Sequence, residues 1–504
     1  MRTTGNAGEA ARGKSVKKNF VMNALLAMSG FVFPIITFPY ISRVLGPAGT
    51  GKVSFATSVI AYFSMFAQLG IPTYGIRACA KVRDDREALS RTAHELLGIN
   101  LAMDALSYLL LALALLLIPK LRAEKTLFII ISATVLLNSI GMEWLYKALE
   151  HYTYITLRSI AFKLVALAAM FLLVRAESDY VIYGGISIFA ASASNLLNFA
   201  NARRYIDLRR PRDCDWRRHV KPVMIFFGMS CAATIYTNLD ALMLGFMTTD
   251  VDVGYYNAAV KIKTILVSVV TALGAVLLPR FSYYVEHGQM DEFRRMAQKA
   301  LRFVLMFASA LSLYFMLYAP ECILVLSGDA YLGSIPPMRF IMPTVLFIGL
   351  SNVLGMQILV PLGREKLVLK SEIAGVIVDL ILNALLIPRF KATGAAIGTL
   401  AAEAAVLLVQ YHALRSEVGT FFKSYPWLRL ALGLIIASAA GYWVKLLPIG
   451  SFGTFGPFLS LVISAVCFFG VYGLFMLWKK DEIVTEVWGQ VSGRIKRLWK
   501  GRNS

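Results

Sequence analysis

From Phe20 to Trp478 the chain alternates between apolar runs of about 20 residues and short polar joints, about fourteen times. The runs fall at roughly 19–41, 50–72, 93–117, 126–148, 154–174, 180–200, 222–246, 255–279, 299–318, 338–361, 368–387, 393–413, 426–446 and 455–477. Lipid offers no water to satisfy open backbone groups, so segments this long must be helices. The pattern predicts an all-α integral membrane protein with about 14 transmembrane helices.

Composition agrees. Of the 504 residues, 58% are hydrophobic and only 16% charged, against about 25% charge in soluble domains. The net charge of +21 is spread over one expected membrane face, which suits a positive-inside bias and anionic lipid heads rather than a nucleic acid. With Met1 cytoplasmic, about 35 basic residues fall inside and about 10 outside. Both termini are then expected in the cytoplasm, and the chain in the plasma membrane of a bacterium or archaeon. The first run, after Arg12, Lys14, Lys17 and Lys18, is too long for a signal peptide and lacks a small-residue cleavage site. It is expected to be an uncleaved span. Cys79, Cys214, Cys231, Cys322 and Cys467 are scattered and lack CxxC spacing, so neither a disulfide framework nor a metal site is indicated.

The basic joint at about 201–221 suggests a boundary between an N-terminal lobe (19–207, spans 1–6) and a C-terminal lobe (208–415, spans 7–12). A basic N-terminus (1–18) precedes them. Spans 13 and 14 (416–478) follow, then a basic tail (479–504) whose apolar residues recur at helical spacing, as in a helix lying on the inner leaflet. A faint echo links the halves. Leu45-Gly46, Gly51, Phe55 and Ala56 join spans 1 and 2, while Leu244-Gly245, Gly254, Tyr255 and Ala258 join spans 7 and 8. Related halves around a midplane cavity are a transporter architecture.

Few soluble-enzyme motifs survive. Gly8–Ser15 fits GxxxxGKS, but a phosphate loop needs a buried strand before it and a helix after it. Only seven residues precede this one and a span follows, so ATP is not implied. His94, His151, His219, His287 and His412 are isolated near span ends, without metal-ligand spacing. No GxSxG elbow appears and no outside loop is long enough for an active site. An enzyme is not expected, and no cofactor or metal.

The intramembrane ionisable residues carry the functional signal: Asp104, Glu143, Arg158, Lys163, Asp240, Lys261, Lys263, Arg302, Glu372, Asp379 and Glu403. A charge at mid-bilayer costs about 2.5–3.5 kcal/mol on insertion scales, so it faces a cavity or a partner unless it snorkels. Snorkelling is the plain reading of Glu143, Arg302 and Lys263. Glu372, Asp379 and Asn383 share one face of span 11, and Lys261, Thr264, Ser268 and Thr271 one face of span 8. Each stripe fits cavity lining or interhelical hydrogen bonding. Pro34 and Pro39 in span 1 remove helix hydrogen bonds and are candidate hinges. Gly394 and Gly398 give span 12 a small face for close packing.

Several short blocks stand in order along the chain: Pro34–Gly49 (PIITFPYISRVLGPAG), Trp144–Glu150 (WLYKALE), Tyr154–Arg158 (YITLR), Asp179–Tyr183 (DYVIY), Leu239–Gly245 (LDALMLG), Val253–Tyr256 (VGYY), Leu278–Ser282 (LPRFS), Asn383–Pro388 (NALLIP) and Gly394–Leu400 (GAAIGTL). Together they resemble the polysaccharide-repeat-unit flippases, the Wzx-type branch of the superfamily that also holds MATE exporters and the lipid II flippase. Their order spans roughly residues 15 to 415. The resemblance implies two pseudo-symmetric six-helix bundles in a V, opening alternately to either side, plus two C-terminal helices. It implies as cargo a polyprenyl-diphosphate-linked oligosaccharide, moved to the outer leaflet for capsule, O-antigen or exopolysaccharide assembly, with membrane lipids and polysaccharide assembly proteins as partners. A cationic interior would meet the diphosphate, a role open here to Arg43, Arg158, Lys163 and Lys261. Arg43 also reads as a span-end anchor. Ion coupling would fall on Asp240, Glu372 or Asp379, with Thr264, Ser268 and Asn383 as polar lining. The competing readings are a MATE-like exporter of small cations and a membrane-embedded polymerase or ligase.

Overall fold

The computed structural model describes residues 5–207, 214–447, 455–486 and 488–489. In chain order its helices are α1 (Gly5–Gln68), α2 (Ile71–Ala80), α3 (Arg86–Leu117), α4 (Pro119–Ala123), α5 (Lys125–Ile140), α6 (Glu143–Ala148), α7 (Tyr152–Leu173), α8 (Tyr180–Ile188), α9 (Asn195–Ala202), α10 (Arg217–Met247), α11 (Asp250–Glu286), α12 (Met290–Leu317), α13 (Ala319–Ser327), α14 (Ile335–Ile341), α15 (Thr344–Asn352), α16 (Glu365–Ala413), α17 (Arg415–Ser424), α18 (Trp427–Trp443) and α19 (Gly456–Trp478). Among the described residues there is no strand.

Among the described residues eleven helices are long and apolar enough to cross a membrane, and the bent pair Asp329–Ile341 and Thr344–Leu359 makes a twelfth. Two of the eleven are too long for one crossing: Val21–Ala80 has 60 residues and Glu365–Ala413 has 49. At 1.5 Å per residue they would extend about 90 and about 75 Å, against a hydrocarbon core of about 30 Å. The backbone shows where each divides. In α1 the break is Gly46 (φ 63°, ψ −179°), a conformation that costs a residue without Cβ little. In α16 it is Lys391 (φ 50°, ψ −127°). Both breaks fall in polar joints expected from the hydropathy pattern, and dividing the two runs there restores the expected helix count. The chain is a multi-pass membrane protein.

The halves of α16 form an antiparallel hairpin. A Cβ on Gly394 would meet Leu386, one on Gly398 would meet Asn383 and Asp379, and Gln410 donates to Ser371 Oγ at 3.0 Å. As one number rises the other falls, with Lys391 at the turn. The small face of span 12 is thus the seam against span 11.

The chain divides into two compact units, Met1–Gly254 and Tyr255–Ser504. The first holds α10 as well as the helices before the basic joint. Its helices are tied by polar side chains reaching neighbouring backbones. Thr156 donates to the Met22 carbonyl, Lys163 to Ser29 Oγ and Tyr40 to the Val174 carbonyl, each across 134 residues. A constant offset means that α7 and the first half of α1 run parallel and in register. In the second unit Tyr314 donates to the Leu461 carbonyl at 2.8 Å and Tyr472 to the Met306 carbonyl at 3.0 Å, fixing α19 antiparallel to α12. Most of the tail expected to lie on the membrane is outside the described residues. At its start Glu482 pairs with Arg302 at 2.7 Å, an exposed contact worth little to stability. Gly8–Ser15, the GxxxxGKS match, lies within α1 rather than in a strand-to-helix loop.

Candidate functional site

In the first unit the second half of α1 (span 2) runs antiparallel to α10, touching it at both ends and parting between. At one end the backbones nearly meet. A Cβ on Gly51 would lie 2.7 Å from the Asp250 carbonyl carbon, and one on Gly254 2.7 Å from that of Pro47. Only glycine permits this approach. Phe55 packs edge-on to Phe246 beside it, ring centroids 5.1 Å apart. At the other end Phe66 stacks obliquely on Phe227 at 5.7 Å, and Gly70 faces the backbone of Phe226. Between these contacts lies a cavity of about 430 Å³ whose polar lining is Ser64 and Gln68 from span 2 and Ser230, Thr234, Thr237 and Asn238 from α10. The echo between the halves is thus a physical crossing: Gly51 packs against Asp250 and Gly254, and Gly254 against Pro47.

Each end is stapled. Beside Gly51, Lys52 pairs with Glu124 at 2.6 Å, and Tyr180 donates to the same carboxylate at 2.8 Å. Lys120 donates to the carbonyls of Gly245 and Thr248, capping the end of α10. At the opposite end Glu95, whose side chain is fully buried, accepts from Arg218 (2.5 Å), His219 Nε2 (2.8 Å) and the Asp215 amide (2.7 Å). His219 Nδ1 bonds Tyr74 Oη at 2.8 Å. This cluster joins α2, α3 and the start of α10 through a buried charge with its acceptor sites filled, the condition under which such a charge is tolerated.

The residues expected from sequence are dispersed. Arg158 is buried on α7, donating from Nη1 to the Ser194 carbonyl at 2.8 Å with Glu143 3.7 Å away. Glu143 also pairs with Lys147 at 2.8 Å. Lys163 is half-buried against Ser29, whereas Arg43 is exposed and donates to the Pro39 carbonyl at 2.6 Å. In the register of α1 and α7, Arg158 and Arg43 are about 28 Å apart along the helix axis, with Lys163 between them. These three cations span the height of a bilayer rather than forming one pocket. Pro34 and Pro39 lie inside α1, whose non-helical residue is Gly46. Asp240 is buried on α10, next to the stretch that lines the cavity. In the second unit Lys261 is half-buried, and Thr264 and Ser268 donate to carbonyls of their own helix, Val260 and Ile265. Asp379 and Asn383 are buried against Gly398 in the hairpin seam, while Glu372 is half-buried. Among the described residues no three His, Cys, Asp or Glu side chains gather as a metal site.

Comparison with known proteins decides the family. Residues 16–285 match the family described as "Polysaccharide biosynthesis protein". The chain belongs to this family. A protein named "Putative O-antigen transporter" from Escherichia coli (strain K12) is 25% identical over 394 residues, covering 78% of this chain and 95% of its own. One of the same name from Shigella dysenteriae is 22% identical, covering 79% and 100%. The solved structure of the lipid II flippase MurJ, in an inward closed conformation, superposes with a TM-score of 0.71 at 14% identity, covering 92% of this chain and all of that one. This family member therefore has the MurJ fold.

Of two features absent from the sequence reading, one has no local signal and the other does. The Glu95 cluster assembles residues up to 145 positions apart, so His219 looked isolated. The cavity lining was within reach: Ser230, Thr234 and Thr237, like Ser64 and Gln68, recur at helical spacing, as the polar stripe of span 8 does.

Proposed function

We propose that this protein moves a polyprenyl-diphosphate-linked oligosaccharide from the cytoplasmic to the outer leaflet of a cell membrane by alternating access, without chemical change. The observation that carries the reading is the cavity between span 2 and α10, to which both helices contribute polar side chains and which a contact bounds at each end. A carrier needs such an arrangement: a wet site at mid-height, and end contacts that can break in turn. Family membership and the MurJ fold support the reading, since relatives carry the name of O-antigen transporters and a solved neighbour that of a lipid II flippase.

A diphosphate crossing hydrocarbon needs compensating cations. Arg158, Lys163 and Arg43, spread over the bilayer height, suit successive contacts along a path, with Lys261 contributing from the second unit. Asp240, Glu372 and Asp379 are the acidic groups for ion coupling. Two pseudo-symmetric lobes, both termini in the cytoplasm and docking of polysaccharide assembly proteins on the basic face complete the proposal.

The test is translocation of a fluorescent polyprenyl-diphosphate oligosaccharide across vesicles holding the purified protein, with Arg158→Ala and Lys261→Ala beside wild type. Wild type moves the lipid, and each variant moves it at least tenfold more slowly with folding intact. Transport of a small organic cation instead assigns the exporter reading, and joined or trimmed sugars an enzyme.

A further inference from the structure

Across the Gly70–Phe226 contact from the main cavity, a second cavity of about 430 Å³ opens between α2 and α10. Its walls are Tyr74 and Arg77 from α2, Lys81 at its C-cap, and Lys221, Ile225 and Phe226 from α10. Tyr74, Arg77 and Lys81 are three and four residues apart and so share one helix face. No acidic side chain lines the cavity. Other cations at this end have carboxylate partners: Arg83 with Glu150 at 2.9 Å, Arg86 with Asp207 at 3.0 Å and Arg218 with Glu95 at 2.5 Å. Among the described residues Arg77, Lys81 and Lys221 have none. Three exposed, uncompensated cations converging on one concavity are the chemistry of a polyvalent oxyanion site.

The walls are fixed in place. Tyr74 is held by His219 and through it by Glu95, and the back of α2 packs at Gly75 against the Trp144 ring. The α10 wall is apolar and open: Ile225 is 64% exposed, with exposed Val220, Met224 and Met229 continuing along the helix. A phosphate between the lysines and arginine would therefore have a track for a hydrocarbon chain beside it. The step to the main cavity is short, because Phe226 lines one cavity and Ser230 the other, about 6 Å apart along the helix.

We propose that this cavity is a loading site, outside the Gly70–Phe226 contact, that captures the diphosphate of a prenyl-linked substrate while its chain lies along α10. The inference rests on the flippase reading. On the orientation proposed above, this end faces the cytoplasm, where the substrate starts.

The probe is radiolabelled farnesyl diphosphate, bound to the full chain in phosphatidylcholine nanodiscs. The triple variant Arg77→Gln, Lys81→Gln, Lys221→Gln should bind at least about tenfold more weakly, the loss of roughly one charge-assisted contact or more. Arg77→Lys should bind within about threefold of wild type, since it keeps the charge. Arg294→Gln, a cation on α12, should change nothing, and melting temperature reports folding throughout. Wild-type affinity in the triple variant overturns the site. Inorganic pyrophosphate competing as well as farnesyl diphosphate makes it a site for free diphosphate and overturns the lipid part. Phosphatidylglycerol abolishing the signal makes it a bilayer headgroup site, with the same consequence. The vesicle assay separates the two claims. If wild type translocates and the triple variant binds normally, only the loading site fails. If the triple variant loses binding while wild type moves no lipid-linked sugar, the site stands and the flippase reading fails.

Discussion

Gly51→Ala tests whether the glycine crossing between span 2 and the end of α10 is a door. The new Cβ would lie 2.7 Å from the Asp250 carbonyl carbon and 3.0 Å from the Gly254 nitrogen. Carbon atoms at rest stand about 3.5–4.0 Å apart, and the Asp250 carbonyl oxygen would be closer still, so the segments must separate by more than about 1 Å. Both obstacles are backbone and cannot rotate away. Overpacking of this kind costs about 1–3 kcal/mol. If this end opens during the cycle, the strain exists in one state only, and about 2 kcal/mol shifts the population about thirtyfold toward the open one. The assay is labelling by a membrane-impermeant maleimide at Thr50→Cys, a buried neighbour, after replacing the five native cysteines. Labelling should accelerate at least tenfold in Gly51→Ala. Gly30→Ala, whose Cβ meets nothing within 4 Å, should label like its parent. Unchanged labelling with a lowered melting temperature would refute the reasoning, because the crossing would then be a static seam.

Three further outcomes are expected. Glu95→Ala removes the carboxylate that accepts from Arg218, His219 and the Asp215 amide. It should cost about 3 kcal/mol, the low end for a broken buried pair because Arg218 is half-exposed, and a thermal melt showing no loss contradicts the cluster's role. Lys391→Gly relieves a left-handed φ of 50° at the α16 turn and should raise stability by about 1 kcal/mol, whereas a lowered melting point shows that the lysine side chain outweighs the strain. His151, in the joint before α7, is held below the ordinary imidazole pKa by burial. The unfolded chain then binds the extra proton first, so stability is full above about pH 6.5 and falls as the pH drops below it. His151→Gln should flatten that slope in melts between pH 7.5 and 5.5, and an unchanged slope removes the histidine from the account.

The spans were legible because each is a long apolar run, and a run of that length has one structural solution in lipid. The expected span at 222–246 became α10, Arg217–Met247, and the joints at Gly46 and Lys391 broke where polarity interrupted the pattern. Helix neighbours were not legible. Tyr74, Glu95 and His219 lie on three helices, and nothing local in any one of them names the others. The same limit applied to Glu143, whose partner Arg158 lies on another helix. Small hydroxyls hide a cavity for a different reason: Thr237 bonds the carbonyl of Ala233 in its own helix, so it crosses an apolar span without a conspicuous charge. Gly394 and Gly398 were readable because a small face has one use, close approach, and the seam with Asn383 and Asp379 is where it is used.

If substrate passes through the cavity between span 2 and α10, a side chain that fills the cavity must stop it. Filling it with Thr234→Trp, in the vesicle assay with fluorescent polyprenyl-diphosphate oligosaccharide, tests this most directly. Wild type should translocate the lipid and the filled variant should not, with melting temperature and farnesyl diphosphate binding at the cytoplasmic loading site retained. Transport at the wild-type rate through a folded Thr234→Trp protein would contradict that route.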